Sequence, residues 1–272
     1  IIEKNILSNG YIFYGPEGVG KKQIALKFIE NILKQNSPSS NIEERILKNN
    51  HPDYLLIEPT YIVKGKILKK SDPGFQKNNS VEIIRIEQIR NIKDFLGKKS
   101  IESGKKFILI VNAHLLNESA SNCLLKILEE PANGIFILIT SKKNLLLDTI
   151  ISRCQLIRFK SYSSKDLENL LKKNLDPSNF EIYKNYNLQD LINSAGGSPK
   201  KVLENIKIWS ESNEIIDKLH TPIKDNIEIL RISKIISERL EIYEQVFLIN
   251  FIQLKWWRQT RNSNIIGKLE TL

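Results

Sequence analysis

Short apolar runs and amphipathic stretches alternate along the first 160 or so positions of the chain. Tyr11-Ile-Phe-Tyr14 is an apolar run closed by Gly15, and Tyr54-Leu-Leu-Ile57 is another, introduced by the turn-prone His51-Pro52-Asp53. Phe107-Ile-Leu-Ile-Val111, residues 135–139 and Leu156-Ile-Arg-Phe159 repeat the pattern. Runs without polar alternation are what strands buried on both faces require. Between them, residues 21–35 carry Ile24, Phe28, Ile29 and Leu33 at helical spacing, predicting that these four share one side of a helix. Residues 84–96 do the same through Ile86, Ile89, Ile92 and Leu96, and residues 118–129 form a helix closed by Pro131. Residues 65–80 are polar and read as an exposed excursion turning at Asp72-Pro73-Gly74. Strands separated by helices of this length imply βαβ units and an open parallel sheet.

After Phe159 the texture changes to helix after helix, over residues 164–173, 176–183, 188–195 and 199–210 and a block at 227–261. Gly196-Gly197-Ser198-Pro199 separates two of these, offering an N-cap serine and an N1 proline. At the far end, residues 243–257 are apolar and aromatic, closing on Trp256-Trp257-Arg258, a pattern that ordinary domain core explains.

Composition narrows the class without choosing a function. With 272 residues, 41% hydrophobic and 26% charged, the chain has the make-up of folded globular domains. Two cysteines and three histidines supply neither a disulfide framework nor a four-thiolate zinc site, so no metal is expected. The most apolar stretch, residues 246–254, is too short to span a bilayer and contains Asn250 and Gln253, so no membrane partner is expected. The net charge of +10 is compatible with nucleic acid, although a chain rich in Ile, Lys and Asn reaches it in part through AT-rich codons. The absence of methionine and the start at Ile1 imply a chain cut at its N-terminus.

The candidate chemistry begins after the first strand. Gly15-Pro16-Glu17-Gly18-Val19-Gly20-Lys21 matches the first seven positions of the phosphate-binding loop G-x-x-x-x-G-K, between a strand and a helix. Backbone N–H groups of such a loop face an anion, and Lys21 would neutralise terminal phosphates. The plainer reading is a glycine-rich turn that caps a helix. The eighth position, which needs a hydroxyl to ligate Mg²⁺, is Lys22, and an ammonium repels a cation. The acidic pair required at the end of the 107–111 strand is replaced by Val111 and Asn112. Glu58, at another strand end, either approaches a metal or is simply a solvated carboxylate. These losses predict no catalytic residue in cis and no hydrolysis, while the loop keeps the parts to hold ATP or ADP without productive Mg²⁺. Three scattered histidines form no triad, His114 reads as a packing or capping residue, and Cys123 and Cys154 read as small buried hydrophobes.

Two longer strings carry a family resemblance. Asn117-Glu-Ser-Ala-Ser-Asn-Cys-Leu-Leu-Lys-Ile-Leu-Glu-Glu-Pro131 resembles the N-x-L-L-K-x-L-E-E-P signature of bacterial clamp-loader subunits, and Thr149-Ile-Ile-Ser-Arg-Cys154 resembles their T-I-x-S-R-C motif. His51-Pro-Asp53 and Arg85-Ile-Glu-Gln-Ile-Arg90 are similar to the delta-prime branch. The resemblance covers residues 10–160 continuously. It implies an α/β P-loop AAA+ domain over 1–161, a parallel sheet flanked by helices, then a helical lid over 162–207. An all-α collar that joins subunits into a ring would fill 208–272, with both outer domains incomplete. Residues 243–257 would then lie at an intersubunit seam, a reading that ordinary domain core matches equally.

By the same resemblance the chain is an ATPase-deficient scaffold in the DNA polymerase III holoenzyme, a nucleotidyltransferase, working in the bacterial cytoplasm during DNA replication. Its implied partners are the gamma/tau ATPase subunits, the delta subunit, the sliding clamp and primer-template DNA. Arg153 would be a trans arginine finger for a neighbour's nucleotide, the plainer alternative being a structural anchor for the following strand. Thr140 matches the first sensor and Lys200 stands where the second carries arginine. The four-cysteine zinc module of several relatives is missing, since residues 31–80 hold no cysteine, so no zinc is implied. Arg85, Arg90, Lys93, Lys98, Lys99, Lys105 and Lys106 fall where clamp loaders grip DNA, or form a solvated face. An ATP-hydrolysing gamma/tau-like paralogue is the alternative, against which Lys22, Val111 and Asn112 count.

Overall fold

The buried apolar runs become one sheet. In a computed structural model describing residues 7–36, 41–63, 66–69, 72, 81–129, 134–174, 188–211, 215 and 225–261, five strands pair in parallel. These are β1 (Gly10–Tyr14), β2 (Tyr54–Ile57), β5 (Lys106–Ile110), β6 (Gly134–Thr140) and β7 (Gln155–Arg158), in the order β2-β5-β6-β1-β7. Tyr11 lies opposite Ile137 and Gln155, and Phe107 opposite Tyr54 and Ile135. The expected 107–111 strand sits one residue earlier, at Lys106–Ile110, although the Val111 N–H still donates to the Ile57 carbonyl of β2.

Alternation along each strand divides the sheet's residues between two cores. Ile12, Ile108, Ile110, Phe136 and Leu138 pack with α3 (Ile86–Gly97) and α4 (Glu118–Glu129). Tyr11, Phe13, Phe107, Leu109, Ile135 and Ile137 pack with α1 (Lys21–Asn36) and α2 (Ile42–Leu47). Both faces of the central strands are therefore covered, which is why their apolar runs are unbroken. The expected buried run at 156–159 falls instead on the edge strand β7, with Leu156 40% exposed and Arg158 on the surface. Each fully buried aliphatic side chain contributes about 1.5–3 kcal/mol of burial.

Two further local expectations are corrected. The buried side of α1 is Ala25, Ile29, Ile32 and Leu33, while Ile24 is 53% exposed. Phe28 is half-buried, its ring edge-on to Tyr11 at 5.6 Å between centroids. The polar excursion over 65–80 contains a strand, β4 (Lys66–Lys69), antiparallel to β3 (Thr60–Val63). Ile62 and Ile67, paired across this ribbon, are both exposed. Helix α2 buries just Ile42 and Ile46, too few to show a period. A short helix, α5 (Asp148–Ile151), leads into β7.

The chain divides into two compact units, 1–160 and 161–272. In the second, α6 (Ser164–Asn174), α7 (Leu188–Ser194), α8 (Pro199–Glu211), α9 (Asn226–Arg239) and α10 (Ile242–Arg261) build a helical body. Its core runs from Leu167 and Leu191 through Val202 and Trp209 to Ile232, Leu248 and Phe251, across the expected boundary at 207. The glycine pair works as the spacing predicts. Gly197, at φ +82°, lies so close to Ser161 and Tyr162 that a Cβ would meet them at 2.6 and 2.7 Å. Ser198 Oγ then accepts from Lys201 N at 3.3 Å ahead of the helix that Pro199 opens. The helix expected over 176–183, the helix-closing Pro131 and the side chains of Trp256 and Trp257 lie outside the described residues.

Candidate functional site

The phosphate-loop segment joins the C-terminal end of β1 to the first turn of α1. Gly15, Gly18 and Gly20 all have positive φ. At Gly15 no other residue fits, since a Cβ would lie 2.2 Å from the Phe159 carbonyl oxygen. Lys21 is 7% exposed, and its Nζ donates to the Gly15 carbonyl at 2.7 Å and to that of Pro16. Burial lowers its pKa, Glu17 partly offsetting this. Helix α1 has no acidic residue in its first turn, so its N-terminal end keeps the polarity that favours an anion. These features fit a phosphate group.

They do not fit a catalytic metal. Lys22 Nζ forms an ion pair with Glu58 Oε1 at 2.7 Å, so the residue at the hydroxyl position and the alternative acid neutralise each other. Val111 donates its N–H to Ile57, and Asn112 adopts a left-handed conformation, φ 54° and ψ 47°, which asparagine tolerates better than most residues. Neither offers the carboxylate that a catalytic magnesium site needs there. Among the described residues no group of three or more His, Cys, Asp and Glu could ligate a metal.

Thr140 ends β6 and is fully buried. Its Oγ1 lies 3.2 Å from His114 Nδ1 and accepts from Lys142 N at 3.0 Å. Burial, reinforced by nearby Lys142, lowers the His114 pKa. His114 is thus the packing partner of Thr140. Lys200, on α8, is exposed and pairs with Glu204 at 3.4 Å within its own helix.

The basic stretch separates into two groups. Arg85 is half-buried, its Nη1 donating to Thr60 Oγ1 and to the Thr60 carbonyl. Gln88 supports the same corner, accepting from Arg85 N at 3.0 Å and donating to the Glu58 carbonyl at 2.8 Å. Lys106 is 3% exposed, donates to the Phe95 carbonyl and lies 4.5 Å from the Phe95 ring centre. Arg85 and Lys106 therefore serve the fold. Arg90, Lys93, Lys98, Lys99 and Lys105 are exposed.

Asp53, of the His51-Pro-Asp53 string, is completely buried and organises the loop before β5. Its carboxylate accepts from Ser100 Oγ, from the N–H groups of Ile101, Glu102 and Ser103, and from Ser103 Oγ, at 2.8–3.1 Å. Burial alone would raise its pKa, but the backbone donors outweigh burial and hold it at about 2. Arg45 grips Glu102 with two hydrogen bonds, at 2.6 and 2.9 Å. His51 Nδ1 accepts from Asp53 N at 3.1 Å.

Arg153 follows α5 directly and its side chain is 38% exposed. Nη1 donates to the Thr149 carbonyl at 2.9 Å, and Nη2 pairs with Glu129 Oε1 at 2.7 Å. Neighbouring Cys154 packs on β1, where a Cβ at Gly10 would meet its Sγ at 2.7 Å, and burial pushes its thiol up to about 11. Sequence reasoning missed Glu129, Glu58 as the partner of Lys22, and the His114–Thr140 contact. Each pair joins distant segments, and only the twin glutamates ahead of Pro131 gave any local signal.

Comparison with known proteins places this arrangement in a lineage. Residues 1–163 match a family described as DNA polymerase III, delta subunit. Residues 165–272 match one described as cyanobacterial DNA polymerase III delta prime, C-terminal domain. The delta-prime subunit of DNA polymerase III from Bacillus subtilis is 33% identical over 183 residues, covering 65% of this chain and 50% of that protein. That from Pseudomonas aeruginosa is 29% identical over 154 residues, covering 54% and 42%. The tau subunit from Bacillus subtilis is 29% identical over 197 residues, covering 72% and 32%. The chain thus spans about half the length, or less, of these relatives. A solved DNA polymerase III gamma subunit-related protein from Thermotoga maritima is 20% identical with TM-score 0.46, covering 91% of this chain and 67% of that one. On the strength of two consecutive family matches that together run almost the whole length, the chain belongs to the delta-prime family of DNA polymerase III subunits.

Proposed function

We propose that this chain acts as the delta-prime subunit of a DNA polymerase III clamp loader, a scaffold that does not hydrolyse ATP. In this reading it supplies Arg153 to the nucleotide held by a neighbouring gamma/tau ATPase subunit, and with the delta subunit helps place the sliding clamp on primer-template DNA in the bacterial cytoplasm. The observation that carries the proposal is the contrast between two sites. The chain's own loop has a Lys22–Glu58 ion pair where a magnesium ion would be ligated, whereas Arg153 presents a guanidinium at the surface, held along one edge. A cation of this kind stabilises the charge that develops in phosphoryl transfer. Its own loop would hold at most an unhydrolysed nucleotide through Lys21 and the backbone donors.

The helical unit is proposed to comprise the lid, 162–207, and the ring-forming collar, 208–272. An exposed stripe of Ile242, Val246 and Ile249 on α10 supports a collar that meets other subunits. Among the described residues no helix is long and apolar enough to cross a membrane. Of the basic residues, Arg90, Lys98 and Lys99 are the proposed contacts to the DNA backbone, with Lys93 and Lys105 beside them. The test is to mix the chain with the ATPase and delta subunits, isolate the complex, and titrate primed DNA at increasing salt. Co-elution is expected, and Lys98→Gln with Lys99→Gln should flatten the salt slope by about one unit for each phosphate no longer neutralised. A chain that elutes alone overturns the proposal, and an unchanged slope removes these lysines from the DNA-binding surface.

A further inference from the structure

We infer that Glu129 is a positioning residue for Arg153, orienting its guanidinium toward the neighbouring subunit's nucleotide. The inference rests on the reading of Arg153 as a trans-acting arginine. It joins the two longest motif strings of the chain, since Glu129 ends α4 and Arg153 ends the turn after α5, 24 positions later.

The geometry makes the case. An arginine has a long stem and five N–H donors in a rigid fork. Left free at a surface, it samples many rotamers, and acting on a phosphate requires ordering it first. Here the fork is held at two points by two elements, the Thr149 carbonyl of α5 at 2.9 Å and the Glu129 carboxylate of α4 at 2.7 Å. Among the described residues two N–H groups are engaged and three remain. The backbone beneath is fixed as well, because Cys154 sits against Gly10 of β1 with no room for a Cβ between them.

Glu129 has little to do for stability. Its side chain is 47% exposed and that of Arg153 is 38% exposed, so neither charge is taken out of water. Exposed ion pairs of this kind add little to folding. What the pair does provide is direction, since a preordered guanidinium meets an incoming phosphate without first losing rotamer freedom. The negative charge of Glu129 is shared with an arginine whose remaining donors stay available to a stronger anion.

The experiment is ATP turnover by the reconstituted loader carrying Glu129→Gln, Glu129→Asp, Arg153→Ala, or Glu129→Gln with Arg153→Ala, each checked for an unchanged melting curve. Glu129→Gln is expected to lower kcat about two- to fivefold, the scale an exposed ion pair supports, with KM for ATP unchanged. Glu129→Asp should recover part of that loss. In the Arg153→Ala background Glu129→Gln should have no further effect, because its action runs through the arginine. A loss in Arg153→Ala with none in Glu129→Gln overturns the positioning role and leaves the arginine in place. Equal losses from Glu129→Gln in both backgrounds overturn it too, by assigning Glu129 a role independent of Arg153. No loss in Arg153→Ala overturns both readings.

Discussion

Replacing Arg153 by alanine is expected to slow ATP hydrolysis at the facing site of the assembled loader by roughly three orders of magnitude, the lower end of what arginine fingers contribute. Among the described residues the side chain hydrogen-bonds one carbonyl and one exposed carboxylate, so its removal should leave the fold intact. In a ring with several ATPase sites, steady-state turnover falls by at least the share of that one site. Single-turnover measurement on the complex isolates the full effect. Arg153→Lys should lie between, because an ammonium keeps the charge but loses the fork that meets two phosphate oxygens at once. Undiminished DNA-stimulated turnover in Arg153→Ala would return the residue to its plainer role as an anchor of β7.

The second large effect is on stability. Asp53→Asn is expected to cost the α/β unit about 3 kcal/mol, since the amide cannot accept from every donor that converges on the carboxylate and turns an NH₂ toward backbone N–H groups. That corresponds to a fall in melting temperature of roughly 6–12 °C for a unit of this size. The carboxylate also predicts the acid limb of stability. Its pKa is about 2 in the folded chain against an ordinary 3.8, so it binds its proton later than in the unfolded chain. Its contribution is therefore fully present above about pH 4 and is lost as pH falls toward 2, amounting to about 2 kcal/mol. Chemical denaturation across that window should give a steeper pH dependence for the wild-type chain than for Asp53→Asn. Parallel curves would mean that the carboxylate is not held as the hydrogen bonds imply.

How much of this was legible in the sequence depended on whether a residue's role is repeated along the chain or shared with a distant one. The central strands announced themselves because burial on both faces demands unbroken apolar runs, and α4 was readable to its last residue from the proline two positions beyond it. The β3–β4 ribbon was hidden because β4 buries no side chain fully, with Ile62 and Ile67 facing solvent as loop residues would. Arg85 and Lys106 were grouped with their exposed neighbours since a count of charges has no direction. One is turned to Thr60 and the other lies along Phe95. The absence of the magnesium hydroxyl was visible in Lys22 itself, but the ion pair that fills its place required Glu58 from 36 positions away. His51-Pro-Asp53 was legible as a turn ahead of β2 and as part of a resemblance. Its physical content, a carboxylate that folds the loop before β5, needed the residues at 100–103 beside it.

The central claim is that this chain promotes hydrolysis without performing it. Steady-state ATP turnover with Mg²⁺ tests it most directly, measured for the isolated chain, for the gamma/tau ATPase and delta subunits without it, and for the full mixture on primed DNA. The Lys22–Glu58 pair predicts no turnover above background by the isolated chain, and Arg153 predicts a higher rate in the full mixture than without it. Turnover by the isolated chain that disappears in Lys21→Ala, or a mixture indifferent to its presence, would contradict the account.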